Sequence, residues 1–499
     1  VWPTKDELLT TEPDDEPPHP VAHPNYPSAE KHAQEIEQTY LEDVAEGLAL
    51  GPYTIAEAAK TCNCHPHELI FGAIAGKPEG RYLEKLRTIH DGTVVHVNDH
   101  IRRNLQEKTT APTLHDAATA LYHANATRQH TLLKTDVTKA HRRIRICRKD
   151  WKYIPALING KAYINTCGTY GVSSAQYYWG RLAALLTRIL YYMFPTVPWI
   201  MVYVDDFLMI LPEDNAHQLC TAILLTLAAL GCPLSWKKTA YHNPNTWLGF
   251  LIDSHTLTAR LTPQKQTEIA TILHRLATQQ THSAKQIEQA LGKVQWATQA
   301  CPTLRPFLQP FYAWLMATKQ YGRPNHIISD LARCVLYILN APPSPLIAPP
   351  ADHKATGATD AMANDKHARI GGWYTTKTNI EKNSVWWFTM VITPSKHPWA
   401  FTKTTPNRHI AALELYATML LYTYILHSTQ ADTCIDIPLR TDNQGNAYNI
   451  LNNKSRRWPS SAMLMEMAIQ QHFHKHPLHI QHVYREYNDW ADKLSNGIT

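Results

Sequence analysis

The run Trp199-Ile-Met-Val-Tyr-Val204, Asp205-Asp206, Phe207-Leu-Met-Ile210 decides how this chain is read. Two β-rich apolar segments flank a polar pair, which is the pattern of a hairpin. A hairpin tip holds the two carboxylates side by side, where they repel each other and resist desolvation without cations. Alone, such a pair reads as a solvated turn. Upstream, however, Thr131-Leu-Leu-Lys-Thr-Asp136 is a short strand that also ends in a carboxylate. Three carboxylates at neighbouring strand ends suit two Mg²⁺ ions, the arrangement that clamps the attacking and leaving oxygens of an in-line phosphoryl displacement.

A second acidic set lies further along. Asp360 ends the strand-like Ala358-Thr-Asp-Ala361, and Glu414 lies in Ala411-Ala-Leu-Glu-Leu415 on a long helix. Asp442 ends another strand in Arg440-Thr-Asp-Asn443, and Asp492 lies in Asn488-Asp-Trp-Ala-Asp-Lys-Leu-Ser495. Acids from two strand ends and two helices can converge on one metal pair, as phosphodiester hydrolysis requires. Composition alone makes this set weak, because any domain of this size holds several acids.

Around these motifs, 499 residues suggest about three domains. Hydrophobic residues make up 44% and charged residues 18%, with 28 histidines, which excludes wholesale disorder, collagen and coiled coil. The most apolar run considered, Leu185 to Val204, is broken by Arg188, Pro195 and Pro198, so no membrane span is expected. No signal peptide is read at the start, which is Val and not Met and suggests a fragment or a segment of a larger polyprotein. Nine scattered cysteines suggest a reducing compartment, hence an intracellular protein, cytoplasmic or nuclear and not secreted. Cys62, Cys64, His65 and His67 are packed more tightly than zinc ligands normally are. Residues 1–60 carry 13 acidic and 3 basic side chains; since the chain is +6, residues 61–499 carry +16, which favours a polyanionic partner.

The motifs together resemble those of reverse transcriptases. Tyr203-Val-Asp-Asp206 looks like the YxDD signature, and Asp136 with Val137, Ala140 and His141 resembles the first palm motif. Thr169-Tyr-Gly-Val-Ser-Ser-Ala175, Gly231 to Lys238 (GCPLSWKK) and Trp247-Leu-Gly-Phe250 resemble the motifs that follow. Lys85-Leu-Arg87 with Asp91 and Asn98 resembles the fingers segment that meets the triphosphate. The flavour is that of retroelements of the LTR or tyrosine-recombinase type. The order Asp360, Glu414, Asp442, Asp492 resembles ribonuclease H, with Asp489 a rival for the last place. Gly292-Lys-Val-Gln-Trp296 and Pro302 to Pro310 resemble the helical thumb.

The resemblance implies an α+β right-hand polymerase of fingers, palm and thumb, followed by an α/β ribonuclease H-like domain with a mixed central sheet. Residues 1–30 are expected to be disordered, acidic and Pro-rich, and 31–80 a helical N-terminal extension. Fingers and palm take 81–260, helical thumb and connection 261–340, a Pro-rich linker 341–354, and the nuclease 355–499. Asp136, Asp205, Asp206 and the Val137 carbonyl would hold metal, as would Asp360, Glu414, Asp442 and Asp492, with two Mg²⁺ (or Mn²⁺) per site. Lys85 and Arg87 would neutralise the triphosphate, Lys238 or Lys237 would protonate pyrophosphate, and His141 would sit against the sugar 2′ position. Tyr170, Gly171 and Tyr203 would meet nucleotide and template. The implied partners are an RNA template, a DNA primer, the RNA–DNA hybrid and dNTPs. Three departures stand out: His141 replaces the usual Tyr or Phe, Gln176 stands where the Ser-Ser-Ala motif often ends in Pro, and Arg485-Glu-Tyr-Asn488 stands where a Gly-rich His loop is common. A non-catalytic RNA-binding scaffold keeping both folds is the alternative. An RNA-copying RNA polymerase is a further rival, disfavoured because it would have no hybrid to degrade.

Overall fold

The computed structural model describes residues 23–79, 85–105, 107, 110–279, 281–321, 326–340, 353–354, 356–377, 384–402, 405–428, 435–474 and 478–498. The expected linker core, 341–350, lies outside the described residues, as does 1–22 of the expected disordered segment. The chain divides into two compact units: residues 1–112 with 128–242, and residues 113–127 with 243–499.

The first unit is built around a four-stranded sheet. His130–Asp136 pairs antiparallel with Asp206–Pro212 on one side and with Ala240–Tyr241 on the other; Trp199–Tyr203 closes the hairpin with Asp206–Pro212. Two helices cover it. Ser173–Met193 buries Ala175, Trp179, Ala183, Leu186 and Leu190, and Ala216–Ala229 buries Ala216, Cys220, Ile223 and Leu227. Both sets follow the three- and four-residue spacing of one helix face. They pack on Leu133, Phe207, Met209 and Leu211 of the sheet.

Residues 31–80 are not only helical. Ala33–Ala45 and Ile55–Cys62 are helices, the latter opened by a Thr54/Glu57 capping box. Ala49–Tyr53, though, pairs with Lys161–Asn165, and Ala73–Glu79 pairs with Lys85–Asp91. The first pairing is long-range, with partners over a hundred residues away that overrode the Ala- and Glu-rich local pattern, whereas the second is a local hairpin. Pro27–Lys31 is also a short helix with Ala29 buried, so order begins before residue 30.

In the second unit, Asn245–Trp247, Phe250–Asp253 and Thr258–Leu261 form an antiparallel sheet. Its Phe250 stacks on Trp296 at 4.3 Å between ring centroids. This places Trp247-Leu-Gly-Phe250 with the helices Pro263–Thr278 and Ala284–Ala297, not with the first unit where the 81–260 boundary put it.

The C-terminal sheet is mixed. Thr356–Ala363, Ala368–Thr375 and Trp386–Ile392 run antiparallel in that order; Ile435–Thr441 joins Thr356–Ala363 in parallel and is followed by parallel Leu478–His482. The helix Ile410–Ser428 packs on it and is buried at Leu413, Leu415, Ala417, Leu421, Tyr422 and Ile425. By length and composition alone, Pro406–Ser428 meets the criterion for a membrane span, against the sequence expectation. Its most apolar window is 56% buried, and in this fold it is a core helix between the sheet and Ser460–His474. The last helix, Asp489–Ser495, packs on the sheet through Ala491 and Leu494 against Ala358 and Trp373. Gly371 permits that approach: a Cβ there would lie 2.5 Å from the Ser495 backbone nitrogen.

Candidate functional site

Two carboxylate sets are present, one in each unit. In the first unit, backbone pairing alone brings the acids together. Asp136 is the register partner of Asp206, and the Val137 amide donates to the Asp205 carbonyl at 3.1 Å. The hairpin turns at Val204-Asp205, because Tyr203 pairs with Asp206. Val204 has φ 57°, a left-handed backbone that a β-branched residue rarely takes. Its carbonyl accepts from the Trp179 indole at 2.5 Å, which ties the turn to the core. Such strain concentrates at functional sites and persists only where the surroundings impose it.

Burial, followed by the Asp136 charge, raises the Asp205 pKa. Burial also raises that of Asp206, against the pull of Lys134. Two lysines serve this set. Lys238 Nζ donates to Asp136 Oδ2 at 2.8 Å, and Lys134 Nζ lies 3.6 Å from Asp206 Oδ1. Burial disfavours the Lys238 charge, but the bond to Asp136 and the attraction of Asp205 and Asp206 overcome it, so its pKa is raised. Lys237 is exposed. Lys134 was not anticipated, although a period of two puts it on the Asp136 face of its strand.

A second cluster in the first unit gathers two side chains around the Tyr170 ring. The Arg87 guanidinium lies 5.2 Å from the Tyr170 ring centroid, and the His141 ring lies 5.2 Å from Tyr170 on centroids. Both His141 ring nitrogens are buried without hydrogen-bond partners, and burial, then Arg87, lowers its pKa. Gly171 has φ 101°, and a Cβ there would collide with the His90 carbonyl oxygen. Asn98 holds this loop from below, donating to the Gly171 carbonyl at 2.7 Å and accepting from the Ser173 amide at 2.9 Å. Lys85 opens the Lys85–Asp91 strand; its side chain lies outside the described residues. Tyr203 is 41% exposed at the hairpin end. Arg142, one residue after His141, is buried and bonds Asp43 Oδ2 and Asn165 Oδ1, each at 2.7 Å. No motif signalled that network, because its partners are 99 and 23 residues away.

In the second unit, ligand oxygens of Asp360, Glu414 and Asp442 all lie within 4.8 Å of one another, the one such group among the described residues. Burial pushes Asp360 up to about 6, and the Asp442 charge adds to it. Burial pushes Glu414 up to about 7, reinforced by Asp442 and Asp360. Asp442 Oδ1 is buried without a partner. A half-buried carboxyl group with one buried, orphaned oxygen and two neighbours of its own kind is the donor set a divalent cation satisfies. Ser495 Oγ donates to Asp360 Oδ2 at 2.8 Å, and Asn443 donates to Glu414.

Asp492 is outside this tight group. Its charge reaches Asp360, but its Oδ1 accepts from Arg485 at 2.8 Å. Asp489 pairs with Lys493 on the surface at 2.7 Å. Cys62, Cys64, His65 and His67 do not form a ligand group among the described residues. Burial pushes the Cys62 thiol up to about 11, and the two imidazoles stack on each other at 5.4 Å.

Among the solved structures similar to this chain are three of the foamy viral protease-reverse transcriptase. The dRH form in complex with ds DNA matches at TM-score 0.53 and 15% identity, over 94% of this chain and 72% of that one. The complex with RNA/DNA hybrid matches at 0.51 and 15%, over 94% and 55%. Another complex with dsDNA matches at 0.50 and 16%, over 94% and 86%. No family model and no curated protein sequence matches. At such identity the likeness is one of architecture, and it says that this chain has a retroviral-like reverse transcriptase fold.

Proposed function

We propose that this chain is an RNA-directed DNA polymerase with ribonuclease H activity, the replicating portion of a retroelement polyprotein. The observation that carries the reading is the pairing of Asp136 with Asp206 across a strained hairpin that presents Asp205 beside them. A solvated turn has no need of a left-handed valine or of a lysine on the neighbouring acid. A second acidic set, gathered within 4.8 Å, gives the nuclease reading the same kind of support.

Asp136, Asp205, Asp206 and the Val137 carbonyl would hold Mg²⁺ in the first unit; Asp360, Glu414, Asp442 and Asp492 would hold it in the second. When bound, the ions supply charge neutralisation at the attacking and leaving oxygens. The chain's own residues do the rest. Arg87, with Lys85 on the same strand, takes the triphosphate, a charge-assisted role suited to arginine. Lys238 carries its proton on Nζ at the edge of the acidic set, where the departing pyrophosphate needs one. The His141 ring limits space beside the sugar 2′ position, and Tyr170 with Gly171 receives the base pair. A primer 3′-hydroxyl then attacks the α-phosphate, and positioning with electrostatics accounts for the acceleration.

Asp492 is preferred to Asp489 as the fourth nuclease ligand because its charge reaches Asp360, whereas Asp489 is engaged with Lys493. The substrate would be the RNA strand of a hybrid, recognised by duplex shape and 2′-hydroxyls. The test is a pair of assays on one preparation, dNTP extension and labelled-RNA hybrid cleavage. Asp205→Asn should stop the first and spare the second, and Asp442→Asn should do the reverse. Cleavage by Asp442→Asn at the wild-type rate would remove the nuclease assignment.

A further inference from the structure

The segment before the last helix carries a cation that neither carboxylate chemistry nor stability explains. Arg485 Nη2 donates to Asp492 Oδ1 at 2.8 Å, yet the Arg485 side chain is 78% exposed. An exposed ion pair of this kind contributes about 0–1 kcal/mol. The loop around it is firmly held. Buried Asn488 donates to the Thr359 carbonyl at 3.2 Å, next to Asp360, and a His482 ring nitrogen lies 3.1 Å from the Asp442 carbonyl. The guanidinium feels Asp492 most, then Asp360 and Asp442. Tyr484 and Tyr487 flank it with their rings 72% and 70% exposed. An arginine fork matches the two free oxygens of a phosphodiester, and exposed rings suit the sugars and bases beside one.

We propose that Arg485 is a strand-phosphate ligand of the C-terminal site, resting on Asp492 in the free protein and exchanging that carboxylate for a backbone phosphate of the RNA strand when hybrid docks. Tyr484 and Tyr487 contact the adjoining nucleotides. The inference rests on the nuclease reading of this site. It makes two claims of opposite sign. While Arg485 rests on Asp492 it competes with the metal, so removing it strengthens metal binding. Once hybrid is bound it holds the strand, so removing it slows cleavage. An arginine that merely braced the loop would do neither.

The experiment uses full-length wild type, Arg485→Gln and Arg485→Lys, with Asp442→Asn as the blank that identifies the C-terminal metal signal. Calorimetric titration with Mn²⁺ should show Arg485→Gln binding about three- to tenfold tighter at that site, the size of effect expected when one nearby charge is lost in a wet environment. Single-turnover hybrid cleavage at saturating Mn²⁺ should fall about tenfold, with Arg485→Lys between the two. The salt slope of hybrid binding should drop by just under one unit in Arg485→Gln, the loss of one phosphate contact. Unchanged or weaker Mn²⁺ binding overturns the proposal, as does wild-type cleavage at saturating metal. If wild type cleaves no hybrid, the nuclease reading fails by itself. The Mn²⁺ titration and the salt slope then decide Arg485 without it.

Discussion

Gly371→Ala tests how the C-terminal site is assembled. The added methyl would lie 2.5 Å from the Ser495 nitrogen, 2.6 Å from the Leu494 carbonyl carbon and 2.7 Å from the Leu494 Cβ. Backbone atoms cannot rotate away, so the last helix must retreat by about 1 Å to restore ordinary contact. Overpacking of this kind costs about 1–3 kcal/mol. The retreat also acts on chemistry, because Ser495 donates to Asp360 from this helix and Asp492 lies one turn earlier. A displacement near 1 Å at a reacting centre costs on the order of 100-fold in rate. Hybrid cleavage should therefore fall by about two orders of magnitude, while dNTP extension, whose carboxylates lie in the other unit, stays within about twofold. Urea unfolding followed by tryptophan fluorescence should show the C-terminal transition shifted by about 2 kcal/mol. Wild-type cleavage with an unshifted transition would refute the packing argument.

Other outcomes follow from the first unit. His141→Ala should open space beside the sugar and raise the rNTP/dNTP ratio of kcat/KM, and an unchanged ratio would identify another gate. Val204→Gly should relieve the left-handed strain but give up the packing of the Val204 side chain on the core and free the unfolded chain, so the denaturation midpoint should move by less than about 1 kcal/mol, and a loss much larger than that would show that no strain was relieved. His90 is wholly buried, both its ring nitrogens lack partners, and burial, then Arg142, depresses its pKa to about 4. The folded state therefore resists its protonation. Its contribution is intact above the unfolded pKa near 6.5 and is lost as pH falls from there towards 4, roughly 3 kcal/mol across that window. His90→Leu should flatten this part of the stability–pH curve, and an equally steep curve in the variant would assign the dependence elsewhere. Affinity for hybrid should fall steeply with salt, since a +16 body neutralises phosphates and releases counterions, and a flat plot would argue against a backbone-dominated groove.

What could be read from the sequence was whatever local pattern encodes. The Trp199 to Ile210 hairpin announces itself because strand propensity is interrupted by two residues only, and Asp136 ends a strand that alternation makes visible. Glu414 is the sole acid on an otherwise apolar helix, which makes it conspicuous but also disguises that helix as a membrane span. What escaped depends on partners distant in sequence. The pairing of Ala49–Tyr53 with Lys161–Asn165, the Arg142–Asp43 bond and the closeness of Gly371 to Ser495 leave no local trace. In the sequence Arg485 stands out only as part of a departure from a resemblance. Its position on Asp492 needed coordinates, because a cation seven residues before an acid has no fixed geometry across a turn.

The most direct measurement is primer extension on poly(rA)/oligo(dT) with Mg²⁺, comparing wild type with Asp205→Asn in parallel. The variant keeps side-chain size and removes one ligand charge, so an unchanged fold can be verified by its melting curve. The expected result is dNTP incorporation by wild type and none by Asp205→Asn at an equal melting temperature. No extension by a folded wild type would favour the non-catalytic scaffold, and extension by Asp205→Asn would contradict the hairpin carboxylates as the polymerase site.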